Sequence, residues 1–207
     1  MYALEEEIAL LLNKIPNMMH SSVTIGKDDS QNVEIKVIGK PKKMDFEVKS
    51  HAEIAEKLSV ADFDASARTS GNGFYYLQGD LALLNQALIR FVIDKLVSKK
   101  FLYVETPLML HSEVINKVTD LNDMKNQIYK IEEEDLYLIG TSEHSLIGRF
   151  IDTILQDKNL PMKMASYSMC FRKEIGSHGI DDKGLFRSHQ FNKVEIVVIC
   201  KPEESMK

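Results

Sequence analysis

Phe171-Arg172-Lys173-Glu174, the polar loop Gly176-Ser177-His178-Gly179-Ile180-Asp181-Asp182-Lys183-Gly184, and Arg187-Ser188-His189-Gln190-Phe191-Asn192-Lys193-Val194-Glu195 form the stretch that decides the fold. It links two β-rich runs, near 163–172 and 190–200, and two strands joined by such a loop read as antiparallel neighbours. Side chains alternate along a strand, so Arg172 and Glu174 share a face of the first run, and Phe191, Lys193 and Glu195 share a face of the second. If the runs pair, one sheet face gathers Arg172, Glu174, Phe191 and Glu195. An arginine grips phosphate through two-pronged hydrogen bonds, and an aromatic face stacks on a flat base. Residues 171–174 alone fit a surface ion pair better. With the second strand added, an apolar Phe191 among solvated charges remains as good a reading as a binding site.

Working outward, Leu136-Tyr137-Leu138-Ile139 reads as a buried strand and 143–156 as a helix. The clearest helix spans 80–98, with Asp80 as its cap and Leu81, Leu84, Leu88, Phe91 and Val92 on one face. Phe101-Leu102-Tyr103-Val104 reads as a strand that stops before Pro107, and 111–127 as partly helical. Residues 50–67 read as helices, followed by a tight turn at Gly71-Asn72-Gly73 and a short strand, Phe74–Leu77. Val33–Ile38 alternates apolar and charged residues as a half-buried strand does. Leu4, Ile8, Leu11 and Leu12 form a helical stripe that begins without a cap, which predicts further chain upstream. Strands interleave with helices while the last strands pair antiparallel, so the expected class is α+β, a mostly antiparallel sheet flanked by helices.

The 207 residues, 44% hydrophobic and 28% charged, can bury a core and are too apolar for a disordered chain. No run approaches the length of a membrane span. The acidic start, Glu5-Glu6-Glu7, is unlike a secretion signal. A net charge of −5 argues against a chain basic throughout, though a local basic patch can still meet RNA. Cys170 and Cys200 suit free thiols in a reducing cytoplasm, and neither they nor the scattered histidines fit a metal pattern.

The run 171–179 followed by 183–195 closely resembles motif 2 of seryl-tRNA synthetases, which are class II aminoacyl-tRNA synthetases. Thr141-Ser142-Glu143 resembles that family's serine-binding loop, and the helix 80–98 with the strand ending at Pro107 resembles motif 1, its dimer element. Residues 41–73 resemble the segment that joins the tRNA-binding arm to the catalytic domain. The resemblance covers nearly the whole chain and is nearest to the archaeal-type, zinc-independent members.

It implies a class II antiparallel sheet of six to eight strands, here incomplete. Residues 1–40 would be the end of a coiled-coil arm with its linker strand, and 41–207 a partial catalytic domain with motifs 1 and 2 but no motif 3. Arg172 would hold the α-phosphate of ATP and the serine carboxylate, Glu174 the adenine amino group, and Arg187 the outer phosphates, while Phe191 would stack on adenine. Thr141 and Glu143 would bind the serine ammonium, and Glu195 would face the serine hydroxyl. Arg172 and Arg187 are thus the expected catalytic pair, and Pro107 marks the expected homodimer interface. Magnesium would accompany ATP with its main ligands outside this chain, and tRNA(Ser) would be gripped mainly by the rest of the arm. The chain alone is therefore expected to be a poor aminoacylation catalyst. Three residues depart from the family pattern: Ile175 for alanine, Asp182 for threonine and Ser142 for alanine. Two rival readings are a carrier-protein ligase, against which the Thr141–Glu143 loop and the arm-like helix argue, and a noncatalytic nucleotide-binding or dimerisation module.

Overall fold

The computed structural model describes residues 2–12, 14–16, 18–119, 126–174 and 184–205. It divides into two compact units, Met1–Val48 and Lys49–Lys207.

In the first unit α1 spans Tyr2–Leu12, with Leu4, Ile8, Leu11 and Leu12 all exposed. Asp28 caps a single 3-10 turn, Asp29–Gln31. The strand expected at Val33–Ile38 does not form. Ile35 is 95% exposed and Ile38 85%. Alternation makes a strand only where another strand takes up its N–H and C=O groups, and the described residues of this unit supply none.

In the second unit, α2 (His51–Lys57) begins with a capping box. The Glu53 N–H donates to Ser50 Oγ at 3.2 Å, and the Ser50 N–H donates to Glu53 Oε2 at 2.8 Å. A two-residue β1 (Ala61–Asp62) leads into α3 (Phe63–Thr69), where Asp62 accepts the Ala65 N–H at 2.7 Å. After the turn at 72–73, β2 (Tyr76–Leu77) pairs antiparallel with β1. Ala52, Ala55, Ala61 and Phe63 form the small core between these elements.

The long helix, α4, spans Gly79–Ser98. Asp80 is not its cap. Gln78 holds that position without a side-chain bond to the helix, its amide donating instead to the Ser59 carbonyl at 2.8 Å, and Asp80 lies in the first turn, where its charge meets the positive end of the helix dipole. The expected apolar face divides in two. Leu81 and Val92 are half-buried along with Asn85, Ile89 and Leu96, whereas Leu84, Leu88 and Phe91 are 53%, 55% and 61% exposed. Periodicity marks both stripes as apolar and cannot say which one the chain covers.

Strand β3 (Leu102–Tyr103) runs parallel to β6 (Met162–Phe171), which pairs antiparallel with β7 (Gln190–Ile199) over its whole length. Among the described residues this sheet holds three strands, ordered β3-β6-β7, and α4 lies against all three. The antiparallel pair is where the alternation placed it, in a mostly antiparallel, incomplete sheet flanked by helices as expected; the parallel pairing of β3 is the one feature the alternation did not indicate. Beside it β4 (Met109–Leu110) pairs with β5 (Tyr137–Leu138), and α5 (Ser112–Val118) packs on α6 (Ser142–Gly148). Helix α6 stops well short of the expected residue 156. Gly148 is where Val114 of α5 closes in, since a Cβ there would lie 2.6 Å from Val114 Cγ1, and only tight turns follow, with Asp152 at φ +54°. Ile115, Ile139, Leu146 and Cys170 are fully buried in this part. Both cysteines are free thiols.

Candidate active site

The β6–β7 register sets Ser166 opposite Glu195, Ser168 opposite Lys193 and Cys170 opposite Phe191, so these side chains share one face. Arg172 follows just beyond β6, its N–H donating to the His189 carbonyl at 2.9 Å. Its Cζ lies 5.4 Å from the centroid of the Phe191 ring, a cation–π contact, and its Nε donates to the Gly140 carbonyl at 3.1 Å. The guanidinium is thereby tied to the loop that begins α6.

Thr141, next in that loop, is buried. Its hydroxyl donates to Glu195 Oε2 at 2.7 Å, accepts from Lys193 Nζ at 3.0 Å, and accepts the Glu143 N–H at 3.3 Å. One donor and two lone pairs are all in use, so the hydroxyl cannot rotate without a loss. Lys193 and Glu195 pair directly on the same strand face. Burial pushes the Glu195 carboxyl up, but the bonds from Lys193 and Thr141 and the Lys193 charge outweigh it and hold the group below the ordinary glutamate value. A depressed carboxylate adds stability above its unfolded-state value, lost as pH falls through the folded one. Lys193→Met is therefore expected to raise the Glu195 titration midpoint and move the acid edge of stability to higher pH. A carbon-13 titration of the carboxyl, wild type against variant, measures this, and an unmoved midpoint would refute the assigned cause.

His144 stands on the same side, buried in α6. Burial, then the charges of Arg172 and Lys193, lower its basicity, with Glu195 opposing. Its Nδ1 and the Ser142 hydroxyl are buried without a hydrogen-bond partner among the described residues.

The structure thus brings Arg172, Phe191, Thr141 and Glu195 into one connected group. It does not continue the period-two reasoning to Glu174. The strand ends at Phe171, and Glu174, at φ +37°, leaves extended geometry. Glu174 lies 3.9 Å from Arg187, which is half exposed, so these two face each other across the ends of the connecting loop. Glu143 is exposed in the first turn of α6, and Pro107 is exposed while its carbonyl accepts the Ser145 hydroxyl at 2.8 Å. The departures at Ile175 and Asp182 lie outside the described residues. Lys193, His144 and the Gly140 carbonyl were not among the expected site residues. Lys193 was legible, two residues from both Phe191 and Glu195; a histidine buried by tertiary packing leaves no comparable signal.

Among the described residues, no three His, Cys, Asp or Glu side chains converge so as to hold a metal ion. The magnesium expected with ATP finds no such three-residue set among them. None of the described helices is long and apolar enough to cross a membrane.

Residues 127–207 match the model of the tRNA synthetase class II core domain (G, H, P, S and T). The chain is 47% identical over 205 residues to the serine–tRNA ligase of Methanospirillum hungatei, covering 99% of this chain and 48% of that protein. It is 46% identical over 200 residues to that of Methanocorpusculum labreanum, covering 97% and 47%. Among solved structures, seryl-tRNA synthetase from Pyrococcus horikoshii complexed with ATP superposes with a TM-score of 0.93 at 40% identity, covering 99% of this chain and 50% of that one. The cytoplasmic serine–tRNA ligase of Naegleria fowleri in complex with AMP gives 0.90 at 31% identity, covering 98% and 49%. The chain spans about half the length of the curated relatives it matches. Motif 2 as a paired strand face, the class II core and these likenesses agree: the chain belongs to the seryl-tRNA synthetase family of class II aminoacyl-tRNA synthetases.

Proposed function

We propose that this protein serves in charging tRNA with serine, and that the face of β6 and β7 holds the reactants of the first step. A serine carboxylate oxygen attacks the α-phosphorus of ATP. The bond from that phosphorus to the bridging oxygen of the departing pyrophosphate breaks, leaving seryl-adenylate. The seryl group then passes to tRNA and AMP leaves. Catalysis here is chiefly positioning and charge stabilisation. One observation carries the reading. The Arg172–Phe191 pair adjoins the Thr141–Lys193–Glu195 group through Gly140, so a phosphate-and-base grip and a small cluster of polar side chains lie side by side.

In this reading Arg172 meets the α-phosphate and the serine carboxylate, while Phe191 stacks on adenine and Glu174 receives its amino group. Arg187 turns from Glu174 to the outer phosphates. Thr141 and Glu143 receive the ammonium group, and Glu195 the serine hydroxyl. ATP bound by the Pyrococcus relative and AMP by the Naegleria one support the nucleotide half. Residues 1–40 are read as arm and linker, serving the tRNA, and 41–207 as catalytic domain. Two free thiols suit a cytoplasmic setting. Serine-dependent exchange between ATP and pyrophosphate, measured on this chain and on a version of the relatives' full length, tests the activity. Exchange without serine selectivity in the longer version would defeat it.

A homodimer completes the reading. The exposed stripe Leu84, Leu88 and Phe91 on α4 is the support, since such a stripe on a helix whose other side packs against its own sheet suits a second copy. Phe91→Asp is expected to weaken dimerisation by at least about 30-fold, the effect of losing a ~2 kcal/mol hot spot. Sedimentation velocity across a concentration series measures it, and an unchanged dimer would rule this face out.

A further inference from the structure

The backbone bonds at Arg172 depart from those of an ordinary antiparallel pair. Arg172 donates its N–H to the His189 carbonyl at 2.9 Å, as the β6–β7 register carried on by one residue requires. In a hydrogen-bonded pair the return bond would run from the His189 N–H to the Arg172 carbonyl. Instead the His189 N–H donates to the Gly73 carbonyl at 2.8 Å. The Arg172 carbonyl is met by the imidazole of His189, whose Nδ1 lies 2.9 Å away. The side chain replaces the ladder bond that the backbone gives to a third segment.

That ring is held on three sides. Phe74 stacks on it with centroids 5.2 Å apart and planes inclined by 23°. Tyr129 meets it nearly edge-on at 6.4 Å and brings its hydroxyl 3.0 Å from Nδ1. Gly73 packs so closely that a Cβ there would lie 2.6 Å from His189 Cδ2. A carbonyl oxygen only accepts, so Nδ1 carries the proton and the Tyr129 oxygen serves as a second acceptor. Segments remote in the chain thus converge on His189, whose backbone carbonyl takes the Arg172 N–H and whose imidazole meets the Arg172 C=O.

We propose that His189 is a positioning residue: its Nδ1–H, braced by Gly73, Phe74 and Tyr129, sets the backbone from which the Arg172 guanidinium reaches the nucleotide phosphate. The part of this concerning phosphate rests on the function proposed above; the link from His189 to Arg172 does not.

The test uses this chain, labelled with nitrogen-15, and ATP as the probe. Nitrogen-15 spectra are expected to show His189 protonated at Nδ1. His189→Ala is expected to weaken ATP binding by about 10- to 100-fold, the scale for losing a well-placed hydrogen bond between charged groups. His189→Asn puts an amide N–H where Nδ1–H was and should recover affinity to within about threefold. Gly73→Ala, outside the site, should reproduce the loss, and because Gly73 sits at φ +78°, where alanine is strained with or without His189, only the part due to the ring clash should vanish in the His189→Ala background. A proton on Nε2, wild-type affinity in His189→Ala, or no recovery in His189→Asn would each overturn the proposal. If the wild-type chain binds no ATP, the nucleotide reading fails instead. The Arg172 amide and Nε–H signals then decide the link alone: they shift in His189→Ala and return in His189→Asn, or the proposal falls.

Discussion

Arg172→Ala is expected to reduce serine-dependent ATP–pyrophosphate exchange by about 100- to 1,000-fold, the usual consequence of removing one preorganised charge-stabilising donor. The guanidinium is well prepared for such a role. Its Nε is committed to the Gly140 carbonyl, and its face rests on Phe191, so little reorganisation remains when a phosphate arrives. Because it lies between the base-stacking ring and the Thr141–Glu195 group, its loss should damage the use of both ATP and serine. Arg172→Lys keeps the charge but loses the planar fork and the Nε bond, so it should restore only a minor part of the rate. The measurement is exchange kinetics in the full-length version, with circular dichroism confirming that each variant folds. A loss under about tenfold in Arg172→Ala would show that the charge is structural rather than catalytic.

Glu195→Ala is expected to act differently, raising the serine KM by roughly 5- to 150-fold while ATP binding stays nearly constant. That range corresponds to about 1–3 kcal/mol for losing a hydrogen-bonding group that discriminates a small polar substrate. The carboxylate is kept ionised by Lys193 and Thr141, which makes it an acceptor ready for a hydroxyl. Truncating it also strips Lys193 of its ionic partner, so part of the effect comes from the lysine left behind. Glu195→Gln keeps an acceptor oxygen in place and should be the milder change. Titration with serine and with ATP, each at saturation of the other, separates the two substrates. Equal losses for both would contradict a role confined to serine.

The parts of the fold that were legible in the sequence are those whose partners lie nearby in the chain. β6 and β7 could be placed almost to the residue because their apolar and polar alternation is long and a single loop joins them. From that register, Phe191 and Glu195 fall on one face by arithmetic, and so does Lys193. Long-range competition spoiled other expectations. Val33–Ile38 has a strand's alternation and no pairing partner among the described residues of its unit. The second half of the predicted 143–156 helix is lost beyond the point where Val114 presses against Gly148. Glu174 was set beside Arg172 by a period that holds only while the chain stays extended, and its positive φ ends that condition.

The sequence by itself determined the family, the antiparallel pair at the centre of the site, and most of the charged and aromatic groups on its face, because these depend on local alternation and a contiguous motif. Only the tertiary structure decided which stripe of α4 stays uncovered, that Thr141 ties Lys193 to Glu195, and that the Arg172 carbonyl is served by an imidazole. Each of these depends on where a buried donor finds its acceptor, or an apolar face its cover. Burial penalises an unpaired polar group by more than a local preference can offset. The chain therefore settles such pairings among segments that are distant in sequence, as Gly73, Tyr129, Arg172 and His189 are.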